Sequence, residues 1–210
     1  MILVTGCAGF IGFNLCNRLS LNGHIVVGID NVSKDSSLKI KFDRLSILRK
    51  SKNFKFSNFD ISNKKKVENF FKGKSISLVI HLAAIAGVRE SMRSPEKYFT
   101  SNLSGFFNVI ETAKNHKIKK FIYASSSSVY DKNAKAPFKE NDSTDEQISF
   151  YAYTKKNNEN LAKFYSQNYK MQTIGLRFFS VYGPWGRPDM AYFKFIDKIK
   201  NNNQIKIYNY

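Results

Sequence analysis

Six short apolar runs alternate with polar or amphipathic segments along this 210-residue chain. The apolar runs are predicted strands, at residues 2–5, 25–29, 54–59, 78–81, 121–124 and 173–178. The remaining segments with helical spacing lie at residues 10–21, 36–50, 64–71, 95–117, 151–169 and 192–200, and a further strand is predicted at 205–208. Strands that each lead into a helix indicate parallel strands joined by crossover helices. We therefore predict an α/β fold, a doubly wound parallel sheet with helices on both faces.

The composition narrows the class of protein. Apolar residues make up 42% of the chain, which supports a buried core, and no run of 18 apolar residues indicates a membrane span. The first apolar run begins at Ile2 with no basic leader before it, so we expect a cytoplasmic protein without a membrane partner. The two cysteines, Cys7 and Cys16, lack the spacing of a metal site, and we expect neither a metal nor a disulfide framework. Cys7 is interpreted as a small residue that fills a tight loop.

The chain is strongly basic, with 34 Lys and Arg against 16 Asp and Glu and a formal charge of +18. Such a charge attracts phosphates of any kind. The lysines are scattered, and no zinc-finger or RNA-recognition motif accompanies them. A diphosphate ligand therefore accounts for the charge as well as nucleic acid does, and nucleic acid is the less favoured partner.

Three glycines, Gly6, Gly9 and Gly12, lie between the first predicted strand and the first predicted helix. Glycines in this context permit a tight turn, close approach of a pyrophosphate and close contact of helix with strand. Asp30 ends the second strand, where a carboxylate accepts hydrogen bonds from ribose hydroxyls and repels a 2′-phosphate. The pattern predicts a Rossmann-type dinucleotide site that binds NAD rather than NADP.

A second motif carries acid–base chemistry. Tyr151 and Lys155 are four residues apart on a predicted helix, so both face the same way. An adjacent ammonium is expected to lower the phenol pKa, and Ser126, at the end of the fifth strand, offers a hydroxyl to the same substrate oxygen. Tyr153 and Tyr169 compete for the role of Tyr151, and Lys156 for that of Lys155, but the order of the motifs along the chain favours Tyr151 and Lys155. His81 is interpreted as a packing residue.

Four motifs resemble the nucleotide-sugar epimerases of the NAD-dependent epimerase/dehydratase family, part of the extended short-chain dehydrogenase/reductase superfamily. They are HLAAIAGVRES, SSSSVY, YAYTKK and, most specifically, RFFSVYGPWGRPDMAYFKF. Within the family they are most similar to UDP-glucuronate 4-epimerases, and the resemblance extends over residues 2–210. It implies a Rossmann domain at residues 1–178 and the beginning of a substrate lobe at 179–210. Related enzymes continue beyond residue 210, so the resemblance implies a C-terminally truncated lobe.

The resemblance also implies roles for individual residues. The implied catalytic residues are Ser126, Tyr151 and Lys155. The implied NAD contacts, besides Tyr151 and Lys155, are Gly6, Gly9, Phe10, Ile11, Gly12, Asp30, Asn31, Asp60, Ile61, Leu82, Ala83, Ala84 and Phe179. The implied contacts to a UDP-sugar are Arg89, Ser126, Ser127, Ser128, Ser180 and Arg187, where the serines hold the sugar carboxylate. For the two arginines, a surface or structural ion pair is an equal alternative.

The activity that the resemblance implies is interconversion of UDP-glucuronate and UDP-galacturonate. Bound NAD accepts hydride from C4 as Tyr151 takes the hydroxyl proton, and hydride returns to the other face of the 4-keto sugar. Ser127 and Ser128 stand where a 4,6-dehydratase has an Asp–Glu pair, and the Glu of a decarboxylase is also missing. A UDP-glucose epimerase and an inactive or partner-completed NAD-binding remnant remain as alternatives. A homodimer is expected through the helices that contain residues 102–113 and 151–165.

Overall fold

Six parallel strands form one sheet in this computed structural model, which describes residues 1–33, 38–188 and 190–205. The strands are β1 (Ile2–Thr5), β2 (Val26–Asp30), β3 (Phe54–Asn58), β4 (Leu78–His81), β5 (Lys120–Ser126) and β6 (Gln172–Phe178). Their order across the sheet is β3-β2-β1-β4-β5-β6, which reverses between β1 and β4. This is the order of a classical doubly wound sheet, and it confirms the predicted fold class.

Eight α-helices accompany the sheet within the described residues. They are α1 (Phe10–Leu21), α2 (Leu38–Leu48), α3 (Lys64–Phe71), α4 (Val88–Arg93), α5 (Pro95–Tyr98), α6 (Gly105–Asn115), α7 (Phe150–Tyr169) and α8 (Ala191–Lys200). The short helix α4 was not predicted. The first two residues of the helix predicted at 36–50, and residues 206–208 of the last predicted strand, lie outside the described residues.

The helix predicted at residues 95–117 contains an irregularity. A π-helical segment, Phe99–Ser104, joins α5 to α6, and its Asn102 is 1% exposed. The Asn102 side chain accepts a hydrogen bond from Ile85 N at 2.8 Å and donates one to Ile85 O at 3.0 Å. The π-helical segment therefore holds the connection that follows β4.

Two hydrophobic cores lie on opposite faces of the sheet. Because successive side chains of a strand point to opposite faces, Leu3 packs in the core with α3, α6 and α7, and Val4 packs in the core with α1 and α2. Both side chains are fully buried, and burial of such a side chain contributes about 1.5–3 kcal/mol. The two cores hold the helices against the two faces of the sheet, so the carboxyl ends of the six strands remain uncovered by either core.

The start of α7 is set by its cap. Ser149 has an extended backbone, and its side chain accepts a hydrogen bond from Ala152 N at 3.1 Å. Tyr151 consequently lies in the first turn of the helix and Lys155 in the second. The Ser149 cap thus determines where both side chains begin relative to the sheet.

Strand β6 lies at one edge of the sheet and ends at Phe178. Helix α8, which follows, has no buried residue, and Ile196 and Ile199 are more than half exposed. Among the described residues, no helix has the length and apolarity needed to cross a membrane.

Candidate active site

The connection from β1 to α1 forms a cradle lined by main chain. Gly6 has a left-handed φ of +75°, and a Cβ atom there would lie 2.7 Å from Ala83 N. A Cβ atom on Gly12 would lie 2.1 Å from Gly6 O. Any side chain at either position would collide with backbone, so the loop can close tightly only as glycine.

The amino end of α1 opens into this cradle. Gly9 is the N-cap residue and provides no side-chain hydrogen bond to the first turn. The first N–H groups of a helix have no partner within the helix, so they are available to an anion such as a pyrophosphate. Phe10 and Ile11 flank this end and are partly exposed, whereas Cys7 is fully buried, and burial raises the pKa of its thiol. Cys7 therefore packs, as predicted.

Asp30 lies beside the glycine loop at the end of β2. Its carboxylate accepts hydrogen bonds from Ala8 N at 3.0 Å and Val32 N at 2.9 Å, which fix its orientation. A carboxylate at the end of the second strand is the group that accepts hydrogen bonds from ribose hydroxyls in dinucleotide-binding folds. The segment after β3 is linked to the segment after β2, because the Asn31 side-chain amide donates a hydrogen bond to the Asp60 carboxylate at 2.7 Å. Burial raises the pKa of Asp60, but hydrogen bonds from Ser62 and Asn31 outweigh it and lower the pKa.

The end of β4 closes the cradle on its other side. Thr5 accepts hydrogen bonds from Leu82 N through its carbonyl at 3.1 Å and from Ala83 N through its hydroxyl at 3.2 Å. Ala84 is partly exposed beyond them. The side chain of Ile61, by contrast, lies in the hydrophobic core with α6, so only its main chain remains for a ligand.

His81 ends β4 and is 3% exposed. Its Nδ1 lies 3.0 Å from Thr5 Oγ1, and its ring packs against Phe106 and Phe121. Burial, assisted by the charge of Lys155, lowers the pKa of His81 to about 3, so the imidazole is neutral. These contacts confirm that His81 packs rather than exchanges protons.

Ser126, Tyr151 and Lys155 meet at the carboxyl end of β5. The Ser126 hydroxyl acts on the Tyr151 phenol and lowers its pKa, and it accepts a hydrogen bond from Ser128 N at 3.1 Å. Lys155 is 3% exposed and donates to Ala124 O at 2.9 Å. Its Nζ lies 5.9 Å from the centre of the Tyr151 ring. The three side chains form one contiguous hydroxyl–phenol–amine group.

The prediction that Lys155 lowers the pKa of the Tyr151 phenol below its ordinary value is wrong for the protein without a bound ligand. Burial raises the pKa of Tyr151, and the Ser126 hydrogen bond and the Arg187 charge lower it only in part. Burial also lowers the pKa of Lys155 to about 8, which weakens the ammonium as an electrostatic partner. A helical spacing of four residues places two groups together, but it does not reveal how completely they are buried.

The other predicted substrate residues surround this group unevenly. Ser127 and Ser128 form a 3₁₀ turn directly after Ser126 and are partly exposed. Phe179 is 55% exposed after β6, near Tyr130 and Phe138, and Ser180 follows it exposed. Further side chains of the predicted set are Arg187, whose charge acts on Tyr151, and Arg89, which is exposed on α4.

The cradle and the chemical group lie two strands apart. Thr5 pairs with His81 in register, and His81 pairs with Tyr123. Neighbouring strands are about 4.8 Å apart, so Thr5 is about 10 Å from Tyr123 across the sheet, and Ser126 lies three residues, about 10 Å, further along β5. A dinucleotide seated over the glycine loop is long enough to reach Ser126, Tyr151 and Lys155 at the same edge of the sheet.

Sequence reasoning missed an ion pair behind this group. Glu159 accepts hydrogen bonds from Arg177 Nε at 2.9 Å and Nη2 at 3.0 Å, and from Ser125 Oγ at 2.5 Å. Burial raises the pKa of Glu159, but these hydrogen bonds outweigh it and hold the pKa below its ordinary value. Glu159 is one turn after Lys155, so the spacing that identified Lys155 could also have indicated it.

The unpredicted helix α4 also contacts the site. Ser91 on this helix is fully buried, and its hydroxyl accepts a hydrogen bond from Tyr151 N at 3.0 Å. The Tyr98 ring lies edge-on to Tyr151, with 6.4 Å between ring centres. The segment between β4 and α6 therefore positions the first turn of α7. Among the described residues, no group of three or more His, Cys, Asp or Glu side chains could hold a metal ion.

The sheet order, the glycine cradle and the Ser–Tyr–Lys group together define a short-chain dehydrogenase/reductase type of Rossmann protein. A family comparison assigns the chain more narrowly. Residues 2–210 match the NAD dependent epimerase/dehydratase family, and the chain belongs to that family. The family resemblance recognised in the sequence is thereby confirmed.

Several relatives are similar over nearly the whole chain. A UDP-glucuronate 4-epimerase of Thermodesulfobacterium geofontis is 44% identical over 98% of this chain and 64% of its own length. A Bacillus cereus UDP-glucuronic acid 4-epimerase, solved with UDP-glucuronic acid and NAD, is 36% identical with a TM-score of 0.90, over 99% of this chain and 65% of that one. A Thermotoga maritima UDP-glucose 4-epimerase, solved with UDP-glucose, is 29% identical with a TM-score of 0.89, over 99% and 65%. The chain spans 62% and 65% of the first two curated relatives.

Proposed function

We propose that the chain is an NAD-dependent UDP-sugar 4-epimerase that interconverts UDP-glucuronate and UDP-galacturonate. The observation that carries the proposal is the contiguous Ser126–Tyr151–Lys155 group at the same sheet edge as the glycine cradle. The relatives named above supply the reaction class. In this proposal residues 1–178 bind the cofactor, and residues 179–210 contribute to binding of the substrate.

The residues of the cradle fit NAD. Gly6 and Gly12 leave no room for side chains, and α1 begins at an uncapped Gly9 that presents N–H groups to a pyrophosphate. Asp30 offers carboxylate oxygens to ribose hydroxyls and would repel a 2′-phosphate, which favours NAD over NADP. When bound, NAD⁺ supplies a reversible hydride acceptor for C4 of the sugar.

The chain's own residues then handle the proton. In its ionised form Tyr151 takes the C4 hydroxyl proton onto its phenolate oxygen, and Ser126 shares the same substrate oxygen through its hydroxyl. The positive charge of Arg187 favours the ionised form, and a bound NAD⁺ would favour it further. Lys155, anchored on Ala124 O, fixes a positive charge beside the phenol and is available to the nicotinamide ribose. Tyr151 returns the proton after the sugar has turned, so the net reaction needs no other acid or base.

The serine hydroxyls that surround the Tyr151 phenol favour UDP-glucuronate over UDP-glucose as the substrate. Ser127 and Ser128 present hydroxyls beside Ser126, and Ser180 follows β6. A set of hydroxyl donors can satisfy a sugar carboxylate through charge-assisted hydrogen bonds. Arg187, whose positive charge acts on Tyr151, adds attraction for an anionic group.

The experiment uses the purified chain with added NAD and UDP-glucuronate, and separates the uridine nucleotides by chromatography. UDP-galacturonate is the expected product. Tyr151→Phe should lower the rate at least about 10²-fold, because it removes the proton acceptor. Tyr153→Phe is the matched control, since Tyr153 lies on the same helix but is 47% exposed, and its rate should be unchanged.

Each possible failure has a distinct meaning. Absence of UDP-galacturonate with NAD still bound would reject the epimerase and leave a protein that only binds the cofactor. Product from UDP-glucose but not from UDP-glucuronate would reject the carboxylate site formed by the serines. Equal loss of rate in Tyr151→Phe and Tyr153→Phe would reject the assignment of the phenol.

We also propose a homodimer formed through α6 and α7. These helices carry exposed aromatic side chains, Phe107 at 43% and Phe164 at 50%, which a second copy would cover. Light scattering after gel filtration should give twice the chain mass. Phe107→Asp combined with Phe164→Asp should give the single-chain mass with unchanged circular dichroism, and a monomeric parent protein would refute the proposal.

A further inference from the structure

Arg44, a residue of α2 that the proposed reaction does not use, joins two loops of the site. It is 3% exposed. Its Nη1 donates to Ala8 O in the glycine loop at 2.9 Å. Its Nη2 donates to Trp185 O at 2.5 Å and lies 3.5 Å from Gly186 O. One guanidinium therefore connects the cofactor cradle to the segment of residues 183–188, called the 183–188 loop below.

This arginine is placed at a cost to stability. The hydrogen bonds that it makes are to main-chain carbonyls, and its Nε has no partner within the described structure. Burial lowers the pKa of Arg44, although the nearby charge of Asp30 opposes this effect. Buried charges are expensive, and an apolar side chain would fill the same space without that cost. The guanidinium is better explained by what it holds in place than by packing alone.

The 183–188 loop is fixed to α1 as well. The ring of Trp185 contacts the Phe13 ring edge-on, with 5.7 Å between ring centres, and Asn14 donates to Pro184 O at 3.4 Å. Trp185 has a φ of +64°, a left-handed conformation that a tryptophan adopts only when its surroundings hold it. The conformation of the loop thus depends on contacts from α1 and α2.

The 183–188 loop contains Arg187, whose charge acts on the Tyr151 phenol. We propose that Arg44 is a positioning residue that fixes the 183–188 loop on the cofactor cradle and thereby places Arg187 at the substrate end of the site. The identity of the substrate rests on the proposed function. The anchoring of the loop does not, because it depends only on contacts within the chain.

The chain has a single tryptophan, Trp185, so its fluorescence reports on this loop alone. Arg44→Met keeps an unbranched side chain that fills the inner part of the same space, and it removes the charge and every hydrogen bond. Arg44→Lys keeps the charge but cannot reach both loops at once. Arg49→Met is the control, because Arg49 lies just after α2 and contacts the Phe56 ring instead of the loop. Acrylamide quenching of Trp185 should increase in Arg44→Met, increase less in Arg44→Lys and match the parent protein in Arg49→Met.

The second measurement is the dissociation constant for UDP-glucuronate, by calorimetry on NAD-loaded protein. It should rise about tenfold in Arg44→Met, since hydrogen bonds to a charged group contribute about this factor. NAD affinity should change much less, because the glycine loop keeps its own hydrogen bonds. Parent-like quenching and parent-like affinity in a folded Arg44→Met or Arg44→Lys protein would overturn the proposal. Lack of epimerase activity would leave the quenching test intact.

Discussion

Alanine at two glycines of the cradle should impair different properties, the stability of the protein at Gly12 and the binding of NAD at Gly9. A Cβ atom on Gly12 would lie 2.1 Å from Gly6 O and 2.9 Å from Gly6 C, both of them backbone atoms. These atoms belong to the turn between β1 and α1, so the methyl group fits only if the helix moves away from the strand. We expect Gly12→Ala to lower the free energy of unfolding by about 3 kcal/mol, the upper part of the range for overpacking. That is a large share of a total stability of about 5–15 kcal/mol.

Gly9→Ala provides the contrast. Its Cβ atom would have one close neighbour, Gly6 O at 3.1 Å, and the backbone is in an ordinary extended conformation with φ of −70°. The free energy of unfolding should fall by about 1 kcal/mol or less, the cost of alanine at an N-cap. The added methyl group instead occupies the place where a pyrophosphate approaches the loop, so bound NAD should be lost from a folded protein.

Urea unfolding measures the first quantity, and calorimetric titration with NAD measures the second. Both variants are compared with the parent protein in the same buffer without added cofactor, because bound NAD would itself raise the stability. A Gly12→Ala protein as stable as the parent would refute the reasoning on the turn. A Gly9→Ala protein that binds NAD as tightly as the parent would refute the assignment of the cradle.

Two further predictions concern ionisable groups behind the site. Glu159→Gln should lower the free energy of unfolding in urea by about 2–3 kcal/mol, because the side chains of its pair with Arg177 are only 15–19% exposed. Lys39→Gln is the control, because the Lys39 side chain is 91% exposed, and it should lower the same quantity by less than about 0.5 kcal/mol. Equal effects would contradict the importance of burial. The pKa of His81 is about 3 in the folded state and 6.5 in the unfolded state. As the pH falls, the unfolded state therefore binds a proton before the folded state does. The free energy of unfolding should consequently fall by up to about 5 kcal/mol between pH 6.5 and 3. His81→Gln should flatten this part of the pH profile, and an unchanged profile would contradict it.

Local patterns in the sequence predicted most of the framework. The apolar runs located all six strands within a few residues, and the glycine spacing located the cradle, because these features depend on neighbours along the chain. Tyr151 and Lys155 could be paired for the same reason, since four residues make one helical turn. The position of Ser126 at the end of the fifth predicted strand indicates it as their partner, and the family resemblance implies the same role.

Features that depend on tertiary packing could not be read in this way. The raised pKa of Tyr151 follows from burial by segments distant in sequence, and the sequence suggested the opposite direction. The pair of Glu159 with Arg177 forms only once α7 lies across β6. Arg44 looked like one of many cations on a basic chain, and only the folded structure shows it buried between two loops.

The π-helical segment between α5 and α6 gives the chain a length requirement. In a regular α-helix each residue advances about 100° around the axis, and a π turn accommodates an additional residue. Deletion of one residue from Phe99–Ser104 would restore regular pitch, yet it would rotate either Asn102 away from Ile85 or the whole of α6 away from its core. A scan of substitutions would miss this constraint. A scan of single-codon deletions tests it, because a deletion within Phe99–Ser104 should disturb mainly the Asn102 contact with Ile85, whereas a deletion within α6 should rotate the residues after it by about 100°.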